Sequence, residues 1–271
     1  MINYTRLGQK ILREGHVEKT RVGDTISLHN QVLEFDLQKE FPLMTTKHVG
    51  QKSIVTETLW YLKGTTNIKY LNDNGVHVWD KFADVNGEIG KTYSYQFRNF
   101  AGIDQFMDVI KKLNNNTITD RRAIINLYNV GELDQMSIPP CIPLIQFNKY
   151  SIDGVDYVNS SIYQRSADFC LGVPYDIAEM ALLTEIVATY THARANSMSI
   201  FYSNIHVYEA HAETLNQQIM DTLILPNNEL PVKLILDKDK ILANKPEDLQ
   251  IEMFSFQNIP KNRKKYVYEL F

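Results

Sequence analysis

The sequence predicts an α+β fold, in which a mainly antiparallel or mixed β-sheet is flanked by helices. Helical and strand-like patterns follow one another without the regular strand–helix–strand alternation of a parallel α/β protein. Neither GxGxxG nor GxxxxGK[ST] occurs, so the common dinucleotide and P-loop folds have no support. A chain of 271 residues with 44% hydrophobic residues can bury a sizeable core, which excludes overall disorder. We expect residues 1–271 to form a single domain.

Five segments carry the spacing of apolar residues that is typical of amphipathic or buried helices. The segment 52–63 (KSIVTETLWYLK) is followed by Gly64, a common residue at the end of a helix. Pro174 stands in the first turn of the longest segment, where the lack of an amide proton costs nothing. The predicted helices are 4–14, 52–63, 104–113, 174–192 and 207–222.

Strand-like segments lie between these helices. The segment 25–36 (TISLHNQVLEFD) alternates between apolar and polar residues, as a half-buried strand does. Other segments are short apolar runs rich in β-branched and aromatic residues. The predicted strands are 25–36, 123–128, 142–148, 155–163 and 197–205, with two more near 231–236 and 250–255.

The composition narrows the class of protein. There are 28 Lys and Arg against 32 Asp and Glu, a formal net charge of −4, which argues against a protein that coats nucleic acid. Cys141 and Cys170 are too few for a disulfide framework or a four-thiolate zinc site, so we expect no metal. No secretory leader and no apolar run of 18 residues is found. We therefore expect a cytoplasmic enzyme that acts neither on DNA nor at a membrane.

Cys141 is the first residue that could carry chemistry. Three prolines (Pro139, Pro140 and Pro143) fix the backbone around it. A thiol held in this way is a useful nucleophile if a nearby cation lowers its pKa, although an isolated cysteine is more often a small buried side chain. Cys170 has no such surroundings, and we interpret it as a packing residue.

Arginines and a His–Tyr pair complete the candidates. Arg is suited to phosphate because its planar group binds two oxygens at once, but a single Arg is usually a surface charge. The candidate phosphate ligands are Arg21, Arg121, Arg122 and Arg165, the last followed by Ser166. His206 and Tyr208 are two residues apart, so they point the same way if the strand continues and could hold one hydroxyl group.

The order of motifs resembles the thymidylate synthase family across roughly residues 4–225. Residues 163–175 (YQRSADFCLGVPY) closely resemble the YQRS-x-D-x-x-LG-x-P segment of that family. Further matches follow in family order, at 41–47 (FPLMTTK), 57–60 (ETLW), 78–80 (VWD), 120–122 (DRR), 129–141 and 206–208 (HVY). Seven matches in register are far more specific than any one motif.

The resemblance implies roles for individual residues. Cys141 matches the nucleophile that adds to C6 of a pyrimidine nucleotide, and Glu57 and Tyr93 match residues of the proton-transfer and water network. The implied nucleotide contacts are Arg21, Gln164, Arg165, Ser166, Ala167, Asp168, His206 and Tyr208. Arg121 and Arg122 match arginines that reach the phosphate in a neighbouring subunit, which implies a homodimer formed through the sheet. The implied contacts to 5,10-methylenetetrahydrofolate are Lys47, Trp79, Asp168, Leu171, Gly172 and Tyr175.

Asp176 departs from the family pattern and decides the expected substrate. Family members that act on deoxyuridylate carry Asn in the segment LG-x-P-x-N, where this chain has Asp176. A carboxylate cannot donate to uracil O4, but it accepts from the N4 amino group of cytosine and stabilises a proton on N3. Asp176 also lies in the first turn after Pro174, where an acidic residue complements the helix dipole. Within this family pattern we interpret it as a selector of cytosine.

Three further departures favour hydroxymethyl transfer over reductive methylation. Ile142 follows the nucleophile where family synthases usually have His, and Phe82 stands where many have a second Trp. The last six residues, YVYELF, are bulky where synthases have a short, small apolar tail, and a changed lid could admit water. Ser166 and Arg122 are unchanged near the sugar, which favours a deoxyribonucleotide.

The sequence therefore predicts a dCMP hydroxymethylase that uses dCMP and a reduced folate. Three enzymatic alternatives stay open: a CMP hydroxymethylase, a reductive dCMP methyltransferase, and a thymidylate synthase that converts dUMP to dTMP. A non-catalytic nucleotide- or RNA-binding paralogue is the alternative from another class. The presence of Cys141, Glu57 and Tyr93 argues against that alternative, because a binding protein has no need of a nucleophile.

Overall fold

The structure is a computed structural model that describes residues 2–115, 120–224, 230–261 and 263–269. Its helices are α1 (Ile2–Glu14), α2 (Gln51–Lys63), α3 (Lys69–Asp73), α4 (Tyr93–Arg98), α5 (Gln105–Leu113), α6 (Val173–Tyr190), α7 (Ala212–Ile224) and α8 (Lys238–Ala243). Its strands are β1 (His16–Thr20), β2 (Gly23–Asp36), β3 (Ile124–Asn126), β4 (Leu144–Ile152), β5 (Val155–Gln164), β6 (Ala167–Asp168), β7 (Arg194–Tyr208), β8 (Lys233–Leu236) and β9 (Phe254–Gln257).

A seven-stranded mixed sheet organises the molecule. Six strands follow the order β1-β2-β7-β5-β4-β3, and the short β6 pairs with β7. The β5–β7 and β6–β7 pairs are parallel and the other pairs of this sheet are antiparallel. β8 and β9 form a separate two-stranded sheet. The expected α+β fold with a mixed sheet and flanking helices is thus confirmed, whereas the extent of the domain, residues 1–271, stays a prediction.

One face of the sheet is covered by helices and the other is open. The covered face packs against α6, which is buried on almost every side, as its apolar sequence requires. On the opposite face, Val32 pairs with Phe201, Phe201 with Tyr163, and Tyr163 with Leu144. Val32 is 52% exposed and Tyr163 39% exposed. These four residues define an apolar row across four neighbouring strands, which we call the open-face row.

Most predicted elements agree with the structure, although β1, α3, α4 and α8 were not predicted and one predicted helix begins too early, after β7. Residues 207–222 were expected to be helical, but β7 continues to Tyr208 because Thr25 of β2 pairs with Tyr208 and extends the ladder. The helix α7 therefore begins only at Ala212. Gly64 ends α2 in the left-handed conformation at φ 68°, as expected. Within the described residues, no helix has the length and apolarity needed to cross a membrane.

Candidate active site

Cys141 lies in the bend that leads into β4, and its surroundings fix it from two sides. Its amide donates a hydrogen bond to the hydroxyl of Tyr93, and its carbonyl accepts one from the amide of Arg165 at 2.8 Å. The Arg165 side chain donates to the carbonyls of Pro140 (2.9 Å) and Pro139 (2.8 Å). These contacts place the guanidinium 4.0 Å from the Cys141 sulfur. The predicted nucleophile and one predicted phosphate ligand are therefore neighbours.

The surroundings of the Cys141 thiol favour its protonated form. Burial raises its pKa above the ordinary value, and the negative charge of Asp176 acts in the same direction. The Arg165 guanidinium and the hydrogen bond with Tyr93 lower the pKa, but burial dominates. Formation of the thiolate therefore depends on further positive charge or on a base that accepts the proton.

Asp176 and Gln164 meet across the same cleft. Asp176 lies in the first turn of α6, and Gln164 is the last residue of β5. The side-chain amide of Gln164 donates to a carboxylate oxygen of Asp176 at 2.7 Å. Burial raises the pKa of Asp176 to about 6, although this hydrogen bond opposes the change. The carbonyl oxygen of Gln164 is buried and has no hydrogen-bond partner within the described part of the chain.

A second carboxylate, Glu57, is buried within the influence of the charge of Asp176 and is accompanied by a third, Glu179. The indole of Trp79 donates to Glu57 at 2.8 Å. The Tyr61 hydroxyl lies 3.3 Å from Glu57 and 3.0 Å from Glu179, and one hydroxyl proton can serve only one of them. Burial raises the pKa of both carboxyl groups, that of Glu57 to about 7. The pair therefore retains a proton near neutral pH.

An aromatic wall encloses this part of the cleft. The ring of Trp79 lies 5.5 Å from that of Tyr93 and 5.7 Å from that of Phe82, in edge-to-face contacts. Tyr93 and Trp79 are both at most 9% exposed. Phe82 is thus a neighbour of Trp79, as its spacing in the sequence suggested. The flat, apolar wall suits a heteroaromatic ring.

The segment from Ala167 to Gly172 forms the opposite wall and is fixed by Asp168. One carboxylate oxygen of Asp168 accepts from the amides of Cys170 (2.9 Å) and Leu171 (3.1 Å). The predicted contact Lys47 lies beneath this segment, where its ammonium group donates to the carbonyl of Cys170. Burial lowers the pKa of Lys47 to about 8. The hydrogen bond from Lys47 to the Cys170 carbonyl stabilises this wall, and a direct contact of Lys47 with folate stays a prediction.

Five other predicted residues lie in this wall or next to it in the sequence. The Ala167 side chain is buried, so its contribution to a ligand is through the backbone. Ser166 and Leu171 are partly exposed beside it. A Cβ on Gly172 would lie 3.4 Å from the Asp176 carboxylate, which shows how closely the backbone approaches this side chain. The hydroxyl of Tyr175 accepts from the amide of Gly50 at 3.4 Å.

His206 and Tyr208 project from the same side of β7, as the spacing predicted. Asp168 on β6 pairs with His206, so the His–Tyr pair adjoins the wall just described. A ring nitrogen of His206 lies 3.0 Å from the side-chain oxygen of Asn204, which can only accept. The Nδ1 atom therefore carries the proton, and Nε2 is free to accept from a ligand hydroxyl. Burial lowers the pKa of His206, which favours the neutral ring.

The structure does not bring all predicted arginines to Cys141. Arg21 is exposed in the β1–β2 turn, two residues before Gly23, where an added Cβ would lie 3.9 Å from the Tyr208 ring. Arg121 precedes β3, and its carbonyl accepts from the Gln146 side chain at 3.0 Å. Gln146 lies on β4, whereas Cys141 lies in the bend before that strand. The contacts given for Arg121 and the adjacent Arg122 are with Gln146 and Asp120, not with Arg165. Arg122 is paired with Asp120 at 3.1 Å.

The C-terminal segment is fixed to α7 up to Glu269. The hydroxyl of Tyr268 donates to Gln218 at 2.6 Å, and that of Tyr266 donates to Asp221 at 2.6 Å. The carbonyl of Glu269 lies 2.9 Å from a ring nitrogen of His211. The two final residues, 270 and 271, are outside the described residues, so the predicted effect of the tail on water stays a prediction.

Sequence reasoning missed Glu179, Tyr61 and Asn204. Glu179 is three residues after Asp176 on α6, a spacing that places both on one face of a helix and could have identified it. Tyr61 is four residues after Glu57 on α2 and could have been found by the same rule. Asn204 had no such signal, because its contact with His206 depends on the course of β7.

Comparison with known proteins identifies the family. A sequence model described as thymidylate synthase matches residues 2–264. The chain belongs to the thymidylate synthase family. It is 36% identical over 263 residues to the thymidylate synthase of Brachyspira hyodysenteriae (strain ATCC 49526 / WA1), and the alignment covers 94% of this chain and 96% of that protein. Membership makes the chain a one-carbon transferase of nucleotide biosynthesis, in a family that uses methylenetetrahydrofolate as co-substrate.

Proposed function

We propose that this member of the thymidylate synthase family is a dCMP hydroxymethylase. It converts dCMP, 5,10-methylenetetrahydrofolate and water to 5-hydroxymethyl-dCMP and tetrahydrofolate. The observation that carries the choice of base is the hydrogen bond from Gln164 to Asp176. Because a carboxylate can only accept, this bond turns the amide nitrogen of Gln164 towards Asp176 and leaves its carbonyl oxygen unpartnered.

The resulting cleft is rich in hydrogen-bond acceptors. The N4 amino group of cytosine can donate to Asp176 and to the Gln164 carbonyl, whereas uracil O4 would face two acceptors without a proton between them. The raised pKa of Asp176, about 6, also lets this group hold a proton close to N3. Ring protonation at N3 stabilises the charge that develops after attack at C6.

Five side chains perform the proposed chemistry. Cys141 adds to C6, and the resulting nucleophilic C5 attacks the folate methylene. The ionised form of Glu57 accepts the C5 proton through water, and Tyr93 helps to order that water. Glu57 gives this proton, through water, to N5 of tetrahydrofolate as the bond between N5 and the methylene breaks. Water then adds to the exocyclic methylene and gives up a proton to the ionised Glu57. Elimination of Cys141 then releases the product. Glu179 exchanges a proton with Glu57 through Tyr61.

Nucleotide contacts follow from the remaining geometry. Arg165 and Ser166 bind the phosphate beside Cys141, and Arg21 closes over it from the β1–β2 turn. His206 Nε2 accepts from the sugar 3′-hydroxyl, and Tyr208 acts beside it. Because Ser166 and Arg122 are the family residues near the sugar, we favour the deoxyribonucleotide. The folate stacks against Trp79 and contacts Asp168, Leu171, Gly172 and Tyr175, with Lys47 supporting that wall.

A second copy of the chain completes the proposed site. The open-face row exposes apolar side chains from four strands, a surface that soluble proteins normally cover. Pairing two copies through this face would bury the row in a symmetric interface. Arg121 and Arg122 of one copy would then serve the phosphate held by Arg165 in its partner.

One set of incubations tests the reaction. The protein is mixed with methylenetetrahydrofolate and dCMP, CMP or dUMP, while product mass and dihydrofolate absorbance are followed. A gain of CH2O on dCMP without dihydrofolate supports the proposal. A gain of CH2 with formation of dihydrofolate would establish a reductive transfer instead. Product from CMP at a higher rate than from dCMP would change the sugar assignment.

A matched pair of variants tests the choice of base. Asp176→Asn supplies an amide that can donate to uracil O4, so we expect its kcat/KM ratio to move from dCMP towards dUMP. Glu185→Gln, on the same helix, removes a carboxylate outside the cleft and should leave the ratio unchanged. An unchanged ratio in Asp176→Asn would remove the argument for cytosine. Cys141→Ala should abolish exchange of the C5 proton, which separates an enzyme from a nucleotide-binding paralogue.

The second candidate is conversion of dUMP to dTMP. It is favoured by the name of the relative from Brachyspira hyodysenteriae, a thymidylate synthase that is 36% identical to this chain. Two features of the cleft oppose it, the carboxylate at Asp176 and the unpartnered carbonyl of Gln164. The same incubations separate the two candidates.

A further inference from the structure

A histidine–glutamate cluster lies on β1 and β2, and the side chain of Asn204 links it to His206. His16 and Glu18 are two residues apart on β1, so they project from the same face of the sheet. His16 pairs with Ser27 of β2, and His29 follows two residues later on the same face. Strand geometry therefore brings two imidazoles and one carboxylate together without any loop.

The potential ligand atoms already converge on one point. The Nε2 atoms of His16 and His29 lie 2.9 Å and 3.0 Å from the same oxygen of Glu18. All three atoms lie within 4.8 Å of one another. Ligands bound at the usual 2.0–2.2 Å from a zinc ion are separated by about 3 Å, so an ion can bind between the three atoms with small movements of these side chains and of the Asn204 amide, whose nitrogen lies 3.2 Å from Nε2 of His29.

A neighbouring amide fixes the carboxylate. Asn204 on β7 pairs with His29, and its side-chain nitrogen donates to the second oxygen of Glu18 at 3.0 Å. This contact leaves the first oxygen facing the two imidazoles. Hydrogen bonds to a ligating carboxylate are the usual support of a metal site, because they hold the ligand in the orientation that the ion requires. Two hydrogen-bonded strands and this amide thus hold three potential ligands in place before any ion binds.

The ligand chemistry selects the class of ion. Two imidazole nitrogens with one carboxylate suit zinc and the neighbouring divalent transition metals, whereas magnesium and calcium prefer oxygen ligands. We propose that His16, Glu18 and His29 form a binding site for one divalent transition-metal ion per chain, with water completing the coordination. His16 and His29 are about half exposed, so an ion can enter from solvent.

The test titrates the whole, untagged protein, after treatment with a chelator, with Zn²⁺ against a chromophoric indicator and then with Co²⁺. We expect one ion per chain with a Kd on the order of micromolar, weaker than a closed four-ligand structural site. Bound Co²⁺ should give visible absorption without the sulfur charge-transfer band that coordination by the Cys141 thiol would produce. His16→Gln and His29→Gln should each weaken binding by at least about tenfold, because each removes one of three ligands.

His77→Gln is the matched control. His77 is also exposed and lies 3.0 Å from a carboxylate, that of Asp80, but has no second imidazole beside it. Its replacement should leave the affinity unchanged. Selective broadening of two imidazole NMR signals of the unmodified protein by Co²⁺, assigned to His16 and His29, tests the site without any substitution. Equal affinity in wild type and a His16→Gln/His29→Gln double variant, or no binding by wild type at submillimolar metal, overturns the proposal.

Discussion

Replacement of Glu179 tests whether the buried carboxylates share a proton. Tyr61 contacts Glu179 at 3.0 Å and Glu57 at 3.3 Å, and its one proton cannot satisfy two ionised groups. We compare Glu179→Met, which removes the proton and the polar atoms, with Glu179→Gln, which keeps a donor for Glu57. The side chains are similar in length, so the two variants differ chiefly in hydrogen bonding.

The magnitude follows from the environment of Glu57. Its pKa rises from 4.5 to about 7, chiefly through burial and further through the charge of Asp176. This rise means that ionising Glu57 costs roughly 3 kcal/mol more than in water. Hydrogen bonds from Trp79, Glu179 and Tyr61 oppose the rise. Loss of one hydrogen bond to a charged group costs about 1.5 kcal/mol, equivalent to about one pKa unit.

The assay is exchange of the C5 proton of dCMP for deuterium, followed by NMR as a function of pH. The proposed reaction needs ionised Glu57, so the rate should fall on the acid side of about pH 7 in wild type and in Glu179→Gln. In Glu179→Met this limb should move up by about one unit. Identical limbs in all three proteins would refute proton sharing. Absence of exchange in wild type would instead refute the proposed function.

Three further predictions concern stability and assembly. Burial raises the pKa of Glu185 from 4.5 to about 7. Between pH 4.5 and pH 7 the folded state therefore keeps a proton that the unfolded state has lost, and the free energy of unfolding falls as the pH rises through this range. Glu185→Gln should therefore raise the free energy of unfolding at pH 8, by up to about 3 kcal/mol, and leave it unchanged at pH 4; equal gains at both would contradict this. Gly90→Ala should destabilise the fold by more than about 2 kcal/mol, measured by denaturant unfolding. The added Cβ would lie 1.9 Å from the carbonyl oxygen of Gln135, and the φ of Gly90, 74°, is one that alanine rarely adopts. An unchanged free energy of unfolding would contradict this prediction. Arg121→Ala and Cys141→Ala chains, each inactive alone, should regain about a quarter of wild-type activity when refolded together, since half of random dimers contain one intact site. No recovery would exclude a shared site.

Local sequence was sufficient to predict an element where a periodic pattern of apolar residues agreed with a nearby residue that ends the element. The helix predicted over 52–63 is observed as α2, because its apolar spacing and the left-handed Gly64 act within a few residues. The strand predicted over 25–36 is observed as β2, because its alternation of apolar and polar residues is also a local pattern. The helix predicted over 207–222 begins only at Ala212, because the ladder between β2 and β7 extends the strand to Tyr208. That pairing joins Thr25 to Tyr208, which are 183 positions apart in the sequence.

The residues of the candidate site also divide into those that the sequence could identify and those that it could not. Cys141, Asp176, Arg165 and His206 could be named from their motifs, and the structure places the first three around one cleft, with His206 beside its far wall. The partnership of Glu179 with Glu57 could not be named, because it joins α6 to α2 through the Tyr61 hydroxyl. The sequence could not indicate the orientation of the Gln164 amide either, because that orientation depends on the hydrogen bond with Asp176.

The sequence by itself determined the type of chemistry, because residue identity decides which groups can attack, accept or bind phosphate. The proposed roles of Cys141 as a nucleophile, Asp176 as an acceptor and the arginines as phosphate ligands rest on their functional groups together with the family motifs. Only the tertiary structure decided how these groups behave. Burial keeps the Cys141 thiol protonated and raises the pKa of Asp176 to about 6. The tertiary structure also decided that Arg165 lies beside Cys141, whereas Arg121 contacts Gln146. Desolvation and distance depend on segments remote in the chain, and no local pattern encodes them.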